Sequence, residues 1–353
     1  MGNDNLRRSQ VAVETTVGAA LAPTRQLVGA LALRNQPERV LREEYRASMG
    51  GSNVYDDLSY RGEGTYSGRC VTSELPMFLS SSIVEVLTPT TSVYTYTMPL
   101  SLAGTPAALT KLTSLCLYAG DQTQALRAAG CYVSRIVIRG SNTEAWTVEI
   151  TFLTREVVVA SGLNDFDNAL VNAPNVTMKN LMGWIAIAPA TGGMPTAPIT
   201  ATPSQANTFY SFTWTWEAGI APDYTMDLQL DMANIHRDAP QATLEIVSKW
   251  NAAARDEFIN YRLSLPVTPR LIRVSADGGY LAGSSGPRHT INIDGCYVYT
   301  DFVPLDSERD GTTLGRLTLA AIENTTAISP GTTWAKKIEV SVTNNRLTLA
   351  GAT

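Results

Sequence analysis

Two runs of this chain permit only one kind of local structure. From Trp146 to Phe152, apolar Trp146, Val148, Ile150 and Phe152 alternate with Thr147, Glu149 and Thr151. From Tyr210 to Trp216, Tyr210, Phe212, Trp214 and Trp216 alternate with Ser211, Thr213 and Thr215. Successive side chains of an extended strand point to opposite faces, so a period of two gathers every large apolar group on one side. A helix would scatter the same residues around its axis. Each run therefore predicts a strand of a half-buried sheet. The aromatic row of 210–216 has a second reading as an exposed platform for sugars or bases. Its regular alternation with small hydroxyl residues favours a core face.

The same signal recurs along the chain. Cys131–Arg139 and Ala145–Thr154 flank a polar five-residue turn and predict a hairpin. Ser59–Glu74 reads as a strand bent by Gly62, Gly64 and Gly68. Further strands are predicted over Ser92–Leu100, Leu115–Tyr118, Trp184–Ile187, Tyr224–Met232, Thr243–Trp250, Leu271–Val274, His289–Ile293, Tyr297–Val303 and Leu314–Ile322. Ile338–Val342 and Leu347–Leu349 around Asn344-Asn345 suggest a closing hairpin. Two helices are expected. Thr105-Pro106 is an N-cap and first-turn signal for one running to Leu112, and Asn251 can cap one running to Tyr261. The chain before Tyr45 shows no clear alternation, and Pro23 and Pro37 break any long helix. It reads as an extended arm with helical turns. Ser161–Asn207, with Pro189, Pro195, Pro198 and Pro203, reads as a connecting segment, and Gly283–Gly286 as a flexible loop.

A length of 353 residues suits two domains of about 150–200 residues. Gly130-Cys131-Tyr132-Val133 returns as Gly295-Cys296-Tyr297-Val298, 165 residues later (296 − 131). Before each copy come a strand, a short helix and a second strand; after each comes a long hairpin. The expected fold is all-β with minor α: two tandem β-sandwich or barrel domains, each with a short helix. Residues 1–165 hold the arm and first domain, and residues 166–353 the linker and second.

Chemistry-bearing patterns are sparse, and no catalytic, cofactor-binding or metal-binding residues are assigned. His236 and His289 lie in different strand neighbourhoods without a second ligand at metal spacing, and read as surface or interface residues. Asp306–Gly311 begins like a calcium loop but has Leu317 where a bidentate Glu belongs, so it reads as a polar turn. The phosphate-cradling glycine motifs are missing. Cys70, Cys116, Cys131 and Cys296 are too far apart for a disulfide scaffold, and the last three read as small core residues. Net charge is −5, which offers no basic face for gripping phosphates. Only 17% of residues are charged, against about 25% in ordinary domains, which fits a surface covered by partners. Met1–Arg8 lacks an apolar stretch, so no secretory signal is expected; Val17–Pro23 is too short to span a bilayer, so no membrane insertion is expected.

Several short segments, taken in order, resemble the tail tube (major tail) proteins of long-tailed bacteriophages. They are Val13–Ala20, Ala22-Pro23-Thr24-Arg25 and Leu31–Leu33; then Tyr60-Arg61-Gly62, Tyr66-Ser67-Gly68 and Ser73–Leu79; then Gly-Cys-Tyr-Val with the hairpin Ser134–Glu156. The resemblance covers the first half directly and the second through element order. It implies tail-tube-like domains, six to a ring, with rings stacked into a hollow tube through which the genome passes during ejection. A duplicated chain would need three copies per pseudo-hexameric ring. Implied partners are the chain itself, other tail proteins at the tube ends, and double-stranded DNA passing without specific binding. The implied location is the virion tail, assembled in the host cytoplasm. Polar strand faces free of Lys and Arg would line the lumen without holding DNA. The candidates are Thr147, Glu149, Thr151, Thr213, Thr215, Asp227, Gln229 and Asp231, with plain outer surface as the alternative. Candidates for contact between rings are Arg25, Tyr45, Asn53 and Tyr55, in the arm (10–46) and the loop Ser48–Asp57. Two other readings stay open: another virion structural role (capsid decoration or tail completion), and a carbohydrate-binding β-sandwich.

Overall fold

The computed structural model of the chain describes residues 8–44, 52–83, 86–90, 93–100, 112–121, 124–160, 170, 178, 183–189, 193–195, 209–224, 232, 234–263, 269–281, 286–309, 311–323, 334 and 336–346. The fold is all-β with minor α. In chain order the elements are β1 (Arg8–Val13), β2 (Arg25–Leu27), β3 (Ala30–Glu44), β4 (Ser52–Arg69), α1 (Leu75–Ser80), β5 (Val86–Thr90), β6 (Val93–Leu100), β7 (Leu115–Gly120), β8 (Ala125–Ser141), β9 (Thr147–Thr154) and β10 (Glu156–Val159). They continue as β11 (Gly183–Pro189), β12 (Phe209–Glu217), β13 (Ile220–Asp223), β14 (Asn234–Arg237), β15 (Gln241–Lys249), α2 (Ala252–Leu263), β16 (Arg270–Tyr280), β17 (Arg288–Arg309), β18 (Thr312–Ala321) and β19 (Ile338–Asn344).

All strands except the β13–β14 hairpin belong to one hydrogen-bonded network. Two long strands organise it. The first part of β8 pairs with β7 and β10, and its last part pairs with β9 and β12. The first part of β17 pairs with β16 and β19, and its last part with β18. Each long strand thus passes from one set of partners to another at its Gly-Cys-Tyr-Val segment. Gly130 turns there with φ 63°, a conformation that a side chain disfavours. Its N–H donates to the Glu14 carboxylate (2.8 Å), which also accepts from the Gly18 N–H (2.9 Å).

The pairing order of the first strands recurs in the second. β1 lies against β7 as β11 lies against β16. β3 pairs with β4, and β4 with β9, as β12 pairs with β15, and β15 with β18. β10 flanks the start of β8 as β19 flanks the start of β17. Register agrees too: Leu115 faces Cys131, and Leu271 faces Cys296. Both long strands carry a bulge just past the tetrapeptide. In it Ser134 Oγ donates to the Thr151 carbonyl (3.0 Å), and Thr300 Oγ1 to the Thr318 carbonyl (3.1 Å). The halves are not separate bodies. They join edge to edge where β12 pairs with β8 and where β19 pairs with β6. One apolar cluster draws Tyr66, Phe78, Ile136 and Phe152 from the first half and Trp214, Leu244, Ile293 and Leu319 from the second.

Several expectations hold. Phe212, Trp214 and Trp216 are buried, and the two indoles stack 6.5 Å apart, so this row is core. Asn251 caps α2, its Oδ1 accepting from the Ala254 N–H at 3.0 Å. All four cysteines are buried thiols. Others are corrected. The region expected as an arm with helical turns forms β1, β2 and β3. Val11, Leu27 and Leu33 enter the core there, and Pro37 is tolerated because β3 is an edge strand among the described residues. Ser52–Asp57, expected as a loop, is the start of β4 and pairs with Arg39–Glu44. The runs around 289–293 and 297–303 are one strand. β19 is paired on both edges, with β17 and with β6. His289 is buried, with Nδ1 3.1 Å from Thr72 Oγ1, rather than on the surface. Helix α1 was not expected; Pro76 in its first turn is its one local signal, and all six residues are buried. The helix expected from Thr105, the body of the strand over Tyr224–Met232, and Leu347–Leu349 lie outside the described residues.

Around the turn before α1 sits a buried polar knot. Glu74 accepts from the Tyr66 hydroxyl (2.6 Å) and the Val28 N–H (2.8 Å), and the Arg25 guanidinium donates to the Ser73 carbonyl (2.7 Å). Asn344 Nδ2 donates to the Thr72 carbonyl at 2.8 Å, tying the end of β19 to the same turn.

Candidate functional site

The feature with most functional content is a single sheet face. The pairings give a continuous antiparallel run of eight strands in the order β3, β4, β9, β8, β12, β15, β18, β17. One face of it is the core. The other is polar, because each strand alternates and directly opposed residues share a face. One row across it runs Arg69, Thr147, Arg139, Thr213, Glu245, Thr318 and Asp301. The next runs Ser67, Glu149, Val137, Thr215 and Thr243, and a third Thr65, Thr151, Arg135, Glu217 and Gln241.

Five of the sequence candidates, Thr147, Glu149, Thr151, Thr213 and Thr215, therefore lie together on this face, although 66 residues separate Thr147 from Thr213 (213 − 147). Asp227, Gln229 and Asp231 lie outside the described residues. The expectation of a face without Lys and Arg is corrected. Arg69, Arg135 and Arg139 stand on it, the last two alternating with inward Ile136 and Ile138. Two of them are matched by acids, Arg139 to Glu149 at 2.6 Å and Arg135 to Glu217 at 3.8 Å, as is Arg34 at the β3 edge, to Glu63 at 2.6 Å. Arg135, Arg139 and their acids are about half exposed, so these pairs add little stability. Their effect is to cancel charge locally, leaving a hydrophilic face without a continuous cationic track.

Of the other candidates, Arg25 is buried within the chain and does not present its guanidinium outward. Burial, together with the nearby Arg346, lowers its pKa to about 10. Tyr45 lies outside the described residues. Asn53 and Tyr55 lie in β4 opposite Glu43 and Leu41, in the far end of a hairpin that runs to Glu44 and Ser52.

Among the described residues no cluster of His, Cys, Asp and Glu could hold a metal ion. A cleft of about 1060 Å³ opens between Gln26–Leu33 and Ala119–Leu126, and among the described residues Arg8 is the sole titratable one lining it. General acid–base or nucleophilic chemistry needs at least a convergent pair, and the described residues of this cleft offer none. The buried thiols are poor nucleophiles: desolvation, with Glu74 nearby, pushes Cys70 up to about 12, and desolvation pushes Cys296 up to about 11. No helix of the described residues is long and apolar enough to cross a membrane. The chain matches no family model and no curated protein sequence.

Proposed function

We propose that this chain is a structural subunit of a bacteriophage tail tube, built from two copies of one β domain, with three chains closing a ring and stacked rings forming the conduit for DNA. The observation that carries the reading is the eight-stranded sheet. It consists of two four-strand sets of identical pairing order joined edge to edge, with one face apolar and the other hydrophilic and crossed by acid–arginine pairs. Eight strands from each of three chains make a closed barrel of twenty-four. At a strand spacing of about 4.8 Å the circumference is roughly 115 Å, about 37 Å across from backbone to backbone, and strand tilt widens it. The hydrophilic face would line this bore. Phosphate binding gains its strength from counterions released by unmatched Lys and Arg, so cross-strand acid–arginine pairs suit a wall that DNA must slide past. Closure would also remove the two outer edges of the sheet, which are otherwise open to indiscriminate pairing.

Negative-stain electron microscopy of the purified chain, dilute and concentrated, tests this. Hollow rings or rods of even width, with end-on averages of threefold symmetry and sixfold appearance, are expected. Monodisperse single chains at every concentration, also in the presence of other tail proteins, would overturn it and move weight to a decoration role.

A further inference from the structure

We infer that successive copies of this chain join by pairing the outer edge of β3 in one copy with the outer edge of the far part of β17 in the next, in the register Arg34–Val303, Asn35–Phe302 and Gln36–Asp301. The inference rests on the ring reading above and names the contact that closes the ring.

The chain carries its own template for this seam. Within one copy, the outer edge of β12 pairs with β8, setting Thr215 against Val137, Trp216 against Ile136 and Glu217 against Arg135. The recurrent pairing identifies the equivalents. Phe152 faces Gly64, which faces Leu33; Leu319 faces Leu244, which faces Trp214. Phe152 and Leu319 stand at matching places beside the two bulges, so Leu33 is the counterpart of Trp214, and Asn35 and Gln36 of Trp216 and Glu217. On the other side the bulge residues Ser134 and Thr300 correspond, so Asp301 and Phe302 are the counterparts of Arg135 and Ile136. Both counterpart edges are open: among the described residues β3 pairs with β4 alone, and β17 beyond Tyr297 pairs with β18 alone.

Charge agrees with the register. Arg34, Glu63, Gln36 and Arg61 form one hydrogen-bonded network at the β3 edge, with two guanidiniums and one carboxylate. Exposed Asp301 would meet this net positive group, reversing the polarity of the Glu217–Arg135 pair in the internal seam. Two prolines shorten the new seam. Pro37 stands where Ala218 donates its N–H to the Ser134 carbonyl (2.9 Å), and Pro304 stands where β8 has Ile138. Beyond it β17 bulges, with Leu305 at φ 58°. Prolines and bulges are how exposed edges discourage stray partners. A single seam is therefore weaker than the internal one, and it persists where ring closure engages three at once.

The test is a disulfide in the full chain carrying Gln36→Cys and Asp301→Cys. Opposed residues of an antiparallel ladder are about 4.5–5.5 Å apart at Cα, within the span a disulfide bridges. The native thiols are buried. On mild oxidation at assembling concentration, covalent dimer and trimer are expected, with trimer the largest species, while either single variant gives no trimer. Arg61→Cys with Asp301→Cys moves one thiol a strand inward, beyond bridging reach, and should link at less than about one-tenth the yield. Equal linking by this control overturns the register. Rings or rods seen by microscopy without covalent trimer overturn the seam and leave the ring reading standing. Neither particles nor links overturns both.

Discussion

Replacing Tyr66 by Phe removes one oxygen from the centre of the buried knot and leaves the packing of the ring in place. Tyr66 is 1% exposed and its ring lies 5.1 Å from that of Phe78, contacts that Phe preserves. The hydroxyl has two partners: it donates to Glu74 at 2.6 Å and accepts from the Gly29 N–H at 3.0 Å. With Glu74 ionised, a hydrogen bond to it contributes about 1.5–3 kcal/mol net. The Gly29 N–H is only partly buried, so water can replace that bond at little cost. The expected loss for Tyr66→Phe is therefore about 2 kcal/mol. Glu74→Met should cost more, because the Val28 N–H also loses its acceptor and the Arg25 cation its nearby carboxylate. The two changes should not add. A double-mutant cycle should give a coupling of about 1.5–3 kcal/mol, the worth of the shared bond. Urea unfolding followed by circular dichroism and tryptophan fluorescence measures it, with coincident transitions as the condition for a two-state analysis. A coupling below about 0.5 kcal/mol would refute the claim that this bond is buried and charge-assisted.

The same knot sets a pH dependence. Desolvation holds the Glu74 carboxyl above its ordinary 4.5, against the pull of Tyr66, Val28 and Arg25. An acid whose folded pKa is raised stabilises the fold fully below its unfolded pKa, and that contribution is lost as pH rises through the raised value. The difference between wild type and Glu74→Gln should therefore change across the interval above pH 4.5; a flat difference would refute the shift. Asn35→Ala should cost about 1–3 kcal/mol and expose the Val157 amide to hydrogen exchange, because Asn35 Nδ2 donates to the Val157 carbonyl (2.6 Å) and its Oδ1 accepts from the Val157 N–H (2.9 Å). Unchanged protection of Val157 would contradict it. A thiol reagent at pH 8 should modify none of the four cysteines in the native chain during the time that labels all four in urea, since each is buried and its thiol pKa is raised. Prompt native labelling of any one would show that burial at that site is wrong.

Strand content was legible wherever one face is richly apolar. The alternations at 146–152 and 210–216 announce β9 and β12 because a half-buried strand must separate its faces, whatever its neighbours are. The cap of α2 was legible for a similar reason: Asn251 acts on backbone three residues away. Where the apolar signal is thin, as in β3 with Ala30, Ala32 and Pro37, the strand exists because β4 supplies the ladder, and local pattern could not reveal it. The candidate face was legible as a list of polar positions but not as a surface. Alternation with Ile136 and Ile138 puts Arg135 and Arg139 on it, but their matching was not legible, because the carboxylates, Glu217 and Glu149, come from other strands. The repeat of Gly-Cys-Tyr-Val was visible in sequence, and with it a second set of strands in the same order. That the two sets share one sheet, through β12 against β8 and β19 against β6, was decided by tertiary structure alone. Alternation fixes which way a side chain points, but the partner of a strand edge is a long-range choice, made by register and shape between segments far apart in the chain.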